Sequence, residues 1–303
     1  MLHNLWNALK RIFGMDGSWE VMTLSRMGID PASARAMTRV LQPVHTVRLR
    51  PERDEPAAQT PDQIELVWNG ITDRGMTRTQ NEDNLALHAI GNDALFVVAD
   101  GMGGHDAGEV ASGIAVETVA QAVRTGRVRK KDPLAAVTQS VQQANAAVKK
   151  EALRKGSNMG TTLTVALVTE GIAHIASVGD SRAYWIENGT ITQITKDHSL
   201  VAKLVELGKL TKDEARTDPR SNLLLRTIGS EESVVVDTYR VPLARGGTLV
   251  LCTDGLWGEL KDEDIRRICT EEQHTEVICA RLVQQANANG GKDNITAIAV
   301  KVT

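Results

Sequence analysis

The sequence is poor in aromatic side chains, in cysteine and in excess charge of either sign. Only 3% of its 303 residues are Phe, Trp or Tyr, so its core must be built mainly from Leu, Ile, Val and Ala. The three cysteines are an odd number without a C-x-x-C pair, which argues against a disulfide framework and against a zinc site. A net charge of −3, with no basic tract, argues against a nucleic-acid-binding protein.

Long apolar runs are missing as well. No stretch of 18 apolar residues occurs, so the sequence predicts no transmembrane helix. The first residues lack the apolar segment and cleavage site of a secretory signal, and we therefore expect a cytoplasmic protein. Residues 2–13 have helical spacing of apolar side chains. This spacing indicates a short helix docked on the protein or on a partner, or alternatively a helix on a membrane surface.

The composition changes along the chain. Residues 50–63 are polar and contain three prolines, which is typical of a linker. We therefore predict an N-terminal extension with a Pro-rich linker over residues 1–63 and one larger domain over residues 64–303.

The larger domain contains both strand and helix patterns. Runs of β-branched residues joined by short turns, such as Asn188–Gly189, predict an antiparallel meander. Helical patterns at residues 262–270 and 274–288 separate the last two strands. Antiparallel strands with helices outside them predict an α+β fold in which the helices cover the sheet faces.

Several predicted strands meet a loop at an acidic residue. Asp100 in "LFVVADGMGG" and Asp254 in "TLVLCTDGLW" each follow an apolar run and precede a glycine. Further acids at predicted strand ends are Asp180 in "ASVGDSRAYW", Asp293 in "GGKDNITAIAV", and Glu82 and Asp83 in "GMTRTQNEDN". Any one of them is more often a simple turn or a helix cap. Their number and their repeated context instead indicate a cluster at one edge of the sheet.

Such a cluster indicates a particular chemistry. Buried carboxylates repel one another and lose hydration, so they need a positive charge nearby. Oxygen-only ligands favour Mg²⁺ or Mn²⁺ over Zn²⁺, and two such ions can turn a shared water molecule into a nucleophile for phosphorus. Arg78, four residues before Glu82, offers a guanidinium that can clamp phosphate oxygens. The segment "GSNMGTTL" lacks the lysine of a Walker A loop, and we expect it to pack against the site.

These motifs together resemble those of the PP2C-type (PPM family) metal-dependent protein Ser/Thr phosphatases, bacterial branch. The segments from "TDRGMTRTQNEDN" to "GGKDNITAIAV" follow the family order from about residue 70 to the C-terminus. The resemblance implies a β-sandwich of two antiparallel sheets flanked by pairs of helices. It also implies hydrolysis of phosphoserine and phosphothreonine in proteins, in opposition to a Ser/Thr kinase.

The resemblance also implies a binuclear centre with two Mn²⁺ or Mg²⁺ ions. Asp100 would bridge both ions, and the carbonyl of Gly101 would bind the second ion. Asp254 and Asp293 would bind the first ion.

Other residues are implied to support this centre. Glu82 and Asp83 would act mainly through water molecules. Asp180 matches a ligand of a weaker third ion, and Arg78 would bind the substrate phosphate. Residues 195–229 resemble the flap segment beside the cleft of the family.

Two positions depart from related proteins. Met102 stands where eukaryotic members have a histidine that is proposed as the general acid. Methionine cannot donate a proton, so the candidate acid is His105, with a metal-bound water as the alternative donor. Asp218 stands where many bacterial relatives have a histidine before the proline, which bears on substrate preference.

Two other functions compete with a phosphatase. The chain could be a catalytically idle family member that serves as a binding or regulatory module, but its acidic residues are intact. A two-metal nuclease is disfavoured by the net charge and by the lack of a basic face. For a phosphatase we expect phosphorylated proteins and a cognate kinase as partners, and a monomer as the active form.

Overall fold

The computed structural model describes residues 40–41, 45–48, 64–103, 107–125 and 131–303. All of them lie in one unit of the chain, Arg39–Thr303. The strands are β1 Val40–Leu41, β2 His45–Arg48, β3 Glu65–Asp73, β4 Asp83–Ile90, β5 Asp93–Met102, β6 Gly160–Thr161, β7 Leu163–Thr169, β8 Ile172–Val178, β9 Arg182–Glu187, β10 Thr190–Gln193, β11 Asp237–Pro242, β12 Thr248–Cys252 and β13 Ile295–Val302. The helices are α1 Ala107–Thr125, α2 Pro133–Lys155, α3 Leu200–Glu206, α4 Lys212–Thr217, α5 Asp254–Trp257, α6 Asp262–Glu271 and α7 Thr275–Ala288.

The strands form two antiparallel sheets. The first sheet has the order β1-β3-β13-β12-β9-β10, with β2 also paired to β3. The second has the order β11-β8-β7-β5-β4, with β6 paired to β5. Neighbouring strands run antiparallel in both sheets. The prediction of antiparallel sheets in an α+β fold is confirmed.

The main core lies between the two sheets. Side chains alternate along β5, so Phe96 and Val98 pack with the first sheet, while Leu95 and Val97 pack with the helical layer. Phe96 meets Trp68 of β3 edge to face, with 5.3 Å between the ring centroids. The rest of this core consists mainly of aliphatic side chains.

Helices cover the outer faces of the sandwich. The apolar residues of α1 and α2 form a second core with the outward-facing residues of β5, β7 and β8. On the other side, α7 lies against β3, where the thiol of Cys279 donates to the carbonyl of Asn69 at 3.3 Å. The predicted helices at 262–270 and 274–288 are present as α6 and α7, with ends that differ by one residue.

Residues 195–229, here called the flap, connect β10 to β11 and contain α3 and α4. A capping box between Thr211 and Glu214 begins α4. The exit of the flap is tied to the sheet by a bridge between Ile228 and Thr161. The flap is therefore joined to the same short strand, β6, that pairs with the end of β5.

Three expectations fall partly or wholly outside the described residues. The proposed helix at residues 2–13 and the general-acid candidate His105 lie outside the described residues. The boundary between residues 63 and 64 stays a prediction, although β1 and β2 come before it and pair with β3. Among the helices that the structure describes, none is long and apolar enough to cross a membrane.

Candidate metal centre and phosphate site

The predicted acids meet at one end of the sandwich. Asp83 opens β4 and lies directly opposite Asp100, near the end of β5. The backbone N–H of Gly101 donates to the carbonyl of Glu82 at 3.1 Å, which keeps the ends of the two strands together. Gly101 has no room for a side chain, because a Cβ atom there would lie 2.1 Å from the carbonyl oxygen of Gly108. The start of α1 therefore packs directly against this strand end.

The first sheet contributes two more acids. Asp254 begins α5 two residues after the end of β12, and Asp293 lies two residues before β13, the neighbour of β12. A Cβ atom at Gly255 would lie 2.0 Å from the carbonyl oxygen of Asn294, so only glycine permits this approach of the two loops. In this Asp–Gly pair, packing therefore requires the glycine, and the aspartate before it is the candidate ligand.

Burial and crowding raise the pKa values of these acids. Burial raises the pKa of Asp83 to about 8, and Asp254 and Asp293 add to the shift while two hydrogen bonds oppose it. Burial and Asp293 raise the pKa of Asp254 to about 6. The pKa of Asp100 lies well above its ordinary value because of burial and then of Asp254, Asp83, Asp180 and Asp293. Ionising all of these groups together requires a compensating positive charge.

Two oxygen atoms show where that charge is needed. Asp83 Oδ1 and Asp254 Oδ1 are buried and have no hydrogen-bond partner. A buried carboxylate oxygen without a partner is costly, and a divalent cation would compensate both. Among the residues that the structure describes, no group of three or more His, Cys, Asp or Glu side chains is arranged to hold a metal ion. Hard ions such as Mg²⁺ are usually bound through one or two carboxylates and keep several water molecules.

Threonine hydroxyls fix the orientation of Asp83. Its Oδ2 atom accepts hydrogen bonds from Thr253 at 2.7 Å and from Thr296 at 2.6 Å. Thr253 in turn accepts from the backbone N–H of Thr296 at 3.0 Å. With Oδ2 held in this way, Oδ1 is the atom of Asp83 that remains for a cation.

The "GSNMGTTL" segment supports Asp100. The Asp100 N–H donates to Thr162 Oγ1 at 2.9 Å, and the Thr162 N–H donates back to the Asp100 carbonyl at 2.8 Å. Thr161 Oγ1 donates to the same carbonyl at 2.8 Å. The expectation that this segment packs against the site is confirmed.

Arg78 lies at the mouth of the cluster. Its Nη2 atom is 2.7 Å from Asp293 Oδ2, and 46% of its side chain is exposed. The side-chain amide of Asn294 donates to the carbonyls of Arg74 and Gln80, while its oxygen accepts from the N–H of Glu82. Asn294 thus shapes the loop that carries Arg78, and the guanidinium is placed beside the acids and open to solvent.

Asp180, which is buried, lies two residues after the end of a third strand, β8. Trp257 Nε1 donates to its carbonyl at 3.0 Å, and the Arg182 guanidinium lies 3.6 Å from the centroid of the Trp257 ring. Arg182 also forms a buried ion pair with Asp197 at 2.7 Å. Burial and then Asp254 raise the pKa of Asp180 well above its ordinary value.

The structure thus gathers the predicted acids and the predicted arginine at one end of the sandwich. His105 is the one site candidate that the described residues do not include. The neutral side chains that orient the acids were not among the predicted site residues: Thr161, Thr162, Thr253, Asn294 and Thr296. They lie inside or directly beside the motifs, but uncharged residues give no signal of repulsion that would single them out.

Comparison with known proteins agrees with this geometry. Residues 76–298 match the sequence profile of the family "Protein phosphatase 2C". The serine/threonine phosphatase stp of Listeria welshimeri serovar 6b is 37% identical over 76% of this chain and 93% of its own length.

Solved structures have the same fold. The serine/threonine phosphatase of S. agalactiae superposes with a TM-score of 0.73 at 31% identity, covering 78% of this chain and 100% of that one. The catalytic domain of the phosphatase PstP in complex with two manganese ions has a TM-score of 0.72 at 32% identity, covering 79% of this chain and 99% of that one. The chain belongs to the protein phosphatase 2C family, and it is a protein phosphatase that depends on divalent metal ions.

Proposed function

We propose that the chain hydrolyses phosphoserine and phosphothreonine in proteins by means of two divalent ions held between the ends of β5 and β12. One observation carries this proposal. Near Asp100, two buried carboxylate oxygens, Asp83 Oδ1 and Asp254 Oδ1, have no hydrogen-bond partner. The named relatives are serine/threonine phosphatases, which supports the same substrate class for this chain.

The acids divide into two groups by their position. Asp100, on the second sheet, interacts electrostatically with Asp254 of the first sheet and with Asp83 of its own sheet, which suits a ligand shared by both ions. The carbonyl of Gly101 would complete the second position, and Asp293 would join Asp254 at the first. When bound, the ions lower the pKa of a water molecule so that it becomes a nucleophile at neutral pH.

Glu82 and Asp83 would support the ions from the second sheet. The threonine hydroxyls hold Asp83 rigidly, so it orients the site at little cost in side-chain freedom. Asp180 would serve a third and weaker ion. The resident metal is Mn²⁺ or Mg²⁺, because the donors are oxygen atoms only.

Arg78 would receive the substrate phosphate. A guanidinium has five N–H donors in a planar fork, and the contact with Asp293 uses one nitrogen. Its half-exposed position lets it meet a phosphoryl group from solvent while Asp293 fixes its direction. Arg78 would orient the phosphate for attack and balance its negative charge.

The leaving serine or threonine needs a proton, and the source of that proton is a separate part of the proposal. A histidine side chain can act as a general acid near neutral pH, and His105 follows Met102 in the same glycine-rich segment of the sequence. If it donates the proton, His105→Gln should slow phosphopeptide hydrolysis by about 10²–10⁴-fold. Hydrolysis of p-nitrophenyl phosphate should hardly change, because its leaving group needs no proton. An equal loss on both substrates, or no loss on either, would remove His105 as the acid and favour a water molecule.

We expect the chain to act as a monomer in the cytoplasm, on proteins phosphorylated by a cognate Ser/Thr kinase. The three cysteines are free and buried, which fits a reducing compartment.

The decisive experiment measures hydrolysis of p-nitrophenyl phosphate and of a phosphothreonine peptide with Mn²⁺, with and without a chelator. We expect activity on both substrates that the chelator abolishes. Asp254→Asn keeps the shape but removes a ligand charge, so turnover at limiting Mn²⁺ should fall by at least about 10–100-fold. Near-normal rates for this variant at low Mn²⁺ would contradict the ligand assignment. A metal-binding chain without activity would favour an idle binding module.

A further inference from the structure

His198 joins three parts of the molecule at the base of the flap. Its side chain is only 4% exposed. Its Nδ1 atom accepts a hydrogen bond from the backbone N–H of Gly179 at 3.1 Å, and its Nε2 atom is 3.2 Å from Asp237 Oδ2 on β11. The backbone carbonyl of His198 accepts from Leu225 in the exit of the flap at 2.7 Å. One residue thus contacts the Asp180 loop, the second sheet and both ends of the flap.

The contact with the Asp180 loop is reciprocal. The backbone N–H of His198 donates to the carbonyl of Gly179 at 2.9 Å, so both polar backbone groups of Gly179 bind this one residue. Gly179 has a φ of +103°, and a Cβ atom there would lie 2.6 Å from Thr162. The residue before Asp180 is therefore confined between His198 on one side and the support of Asp100 on the other.

The contacts also determine the proton position on the ring. A neutral imidazole carries one proton, and Nδ1 is the acceptor for Gly179, so the proton is on Nε2. The Nε2–H then donates to Asp237, which also accepts from Arg226 Nη1 at 2.8 Å. Arg226 Nη1 lies 3.3 Å from Nε2 as well, but with the proton on Nε2 both groups are donors and this contact is not a hydrogen bond. Burial lowers the pKa of His198, while the hydrogen bond and the charge of Asp237 oppose this shift. The ring orients one backbone amide and is itself oriented by one carboxylate.

We propose that His198 is a positioning residue for the Asp180 site, because it fixes the loop that carries this carboxylate and couples the loop to the base of the flap. The proposal rests on the assignment of Asp180 to the third ion. Groups behind a metal ligand typically contribute about 10–100-fold to metal affinity by holding the ligand in place. His198 would do so through the backbone rather than by touching the carboxylate.

Two substitutions separate the two ring nitrogens. In His198→Asn the amide oxygen takes the place of Nδ1 and can still accept from Gly179, while the contact with Asp237 is lost. In His198→Gln the amide group reaches the place of Nε2 and can still donate to Asp237, while the acceptor for Gly179 is lost. His174→Gln is the matched control, since His174 is also buried but lies on β8 with an Nδ1 atom that has no partner.

The first measurement is hydrogen exchange in the metal-free full-length protein. The Gly179 amide should exchange about 10-fold faster in His198→Gln than in wild type, because it loses one hydrogen bond. His198→Asn and the control should keep wild-type protection at Gly179. Equal exchange in the Asn and Gln variants would overturn the proposed role of Nδ1.

The second measurement is calorimetric titration with Mn²⁺, with Asp180→Asn as the reference for loss of the weak site. His198→Gln should weaken that site by about 10-fold and leave the tighter sites unchanged, and His198→Asn should restore it. If Asp180→Asn loses the weak site and His198→Gln does not, the proposal for His198 is wrong. If Asp180→Asn itself binds like wild type, the assignment of Asp180 is wrong instead.

Discussion

The middle of β5 packs Phe96 and Val98 against the opposite sheet, whereas its end, two residues later, places Asp100 among other carboxylates. β12 shows the same contrast between Leu251, which is completely buried among apolar side chains, and Asp254, at the start of α5. Transfer out of water stabilises the apolar middle of each strand, whereas the same transfer is unfavourable for the charged carboxylate at its end.

This contrast separates the scaffold from the site. The sandwich core stabilises the fold enough to hold several acids in a place where they repel one another. The acids have raised pKa values because the fold buries them and also brings them close together, which is common at functional sites. Substitutions in the two regions should therefore have different consequences, and the predictions below use that difference.

The largest expected effect on stability comes from the core. Phe96→Ala removes a completely buried ring that packs edge to face on Trp68, so the free energy of unfolding should fall by about 3–5 kcal/mol. Chemical denaturation measures this loss, and Phe96→Leu should lose less because it leaves a smaller cavity. The folded fraction should keep its Mn²⁺ affinity. A parallel fall in affinity would show that the two regions are not separable.

A smaller and more selective effect is expected at the support of Asp83. Thr253→Val keeps the shape but removes the hydroxyl that donates to Asp83 Oδ2 at 2.7 Å. The Mn²⁺ concentration for half-maximal activity should rise by about 10-fold, because a hydrogen bond to a charged group is lost. Thr253→Ser keeps the hydroxyl and should behave like wild type. If both variants have the same Mn²⁺ requirement, the hydroxyl does not orient the acid.

The sequence carries much of the fold and most of the charged part of the site. Apolar runs that end at Asp100 and Asp254 indicated both the strands and the cluster, because the charge pattern and the strand pattern coincide. The two-sheet arrangement came from the resemblance to a family, since the order of strands depends on contacts between distant segments. In the first sheet β3 pairs with β13, more than two hundred residues away along the chain.

The neutral supports were beyond the reach of sequence patterns. Asn294 and Thr253 are ordinary polar residues in the sequence, and only the fold shows that they bind a loop carbonyl or an acid. His198 is similar, because its role depends on Gly179, which is 19 residues away and in another element. A cluster of charged residues can be identified from the sequence because like charges repel one another, whereas neutral donors can be identified only from their hydrogen-bond partners in the fold.

The central claim is that the acids at the strand ends exist to hold cations, and thermal unfolding against pH tests it most directly. The folded pKa values of Asp254, about 6, and of Asp83, about 8, lie above that of an ordinary aspartate. The metal-free fold therefore binds protons more tightly than the unfolded chain, and it loses stability as pH rises through these values. Mn²⁺ binds the ionised form, so the increase in melting temperature that it causes should grow between pH 5.5 and 8.5, reaching roughly 5–10 °C. Asp254→Asn should flatten this dependence. An increase that is absent, or that is the same at every pH, would contradict the account.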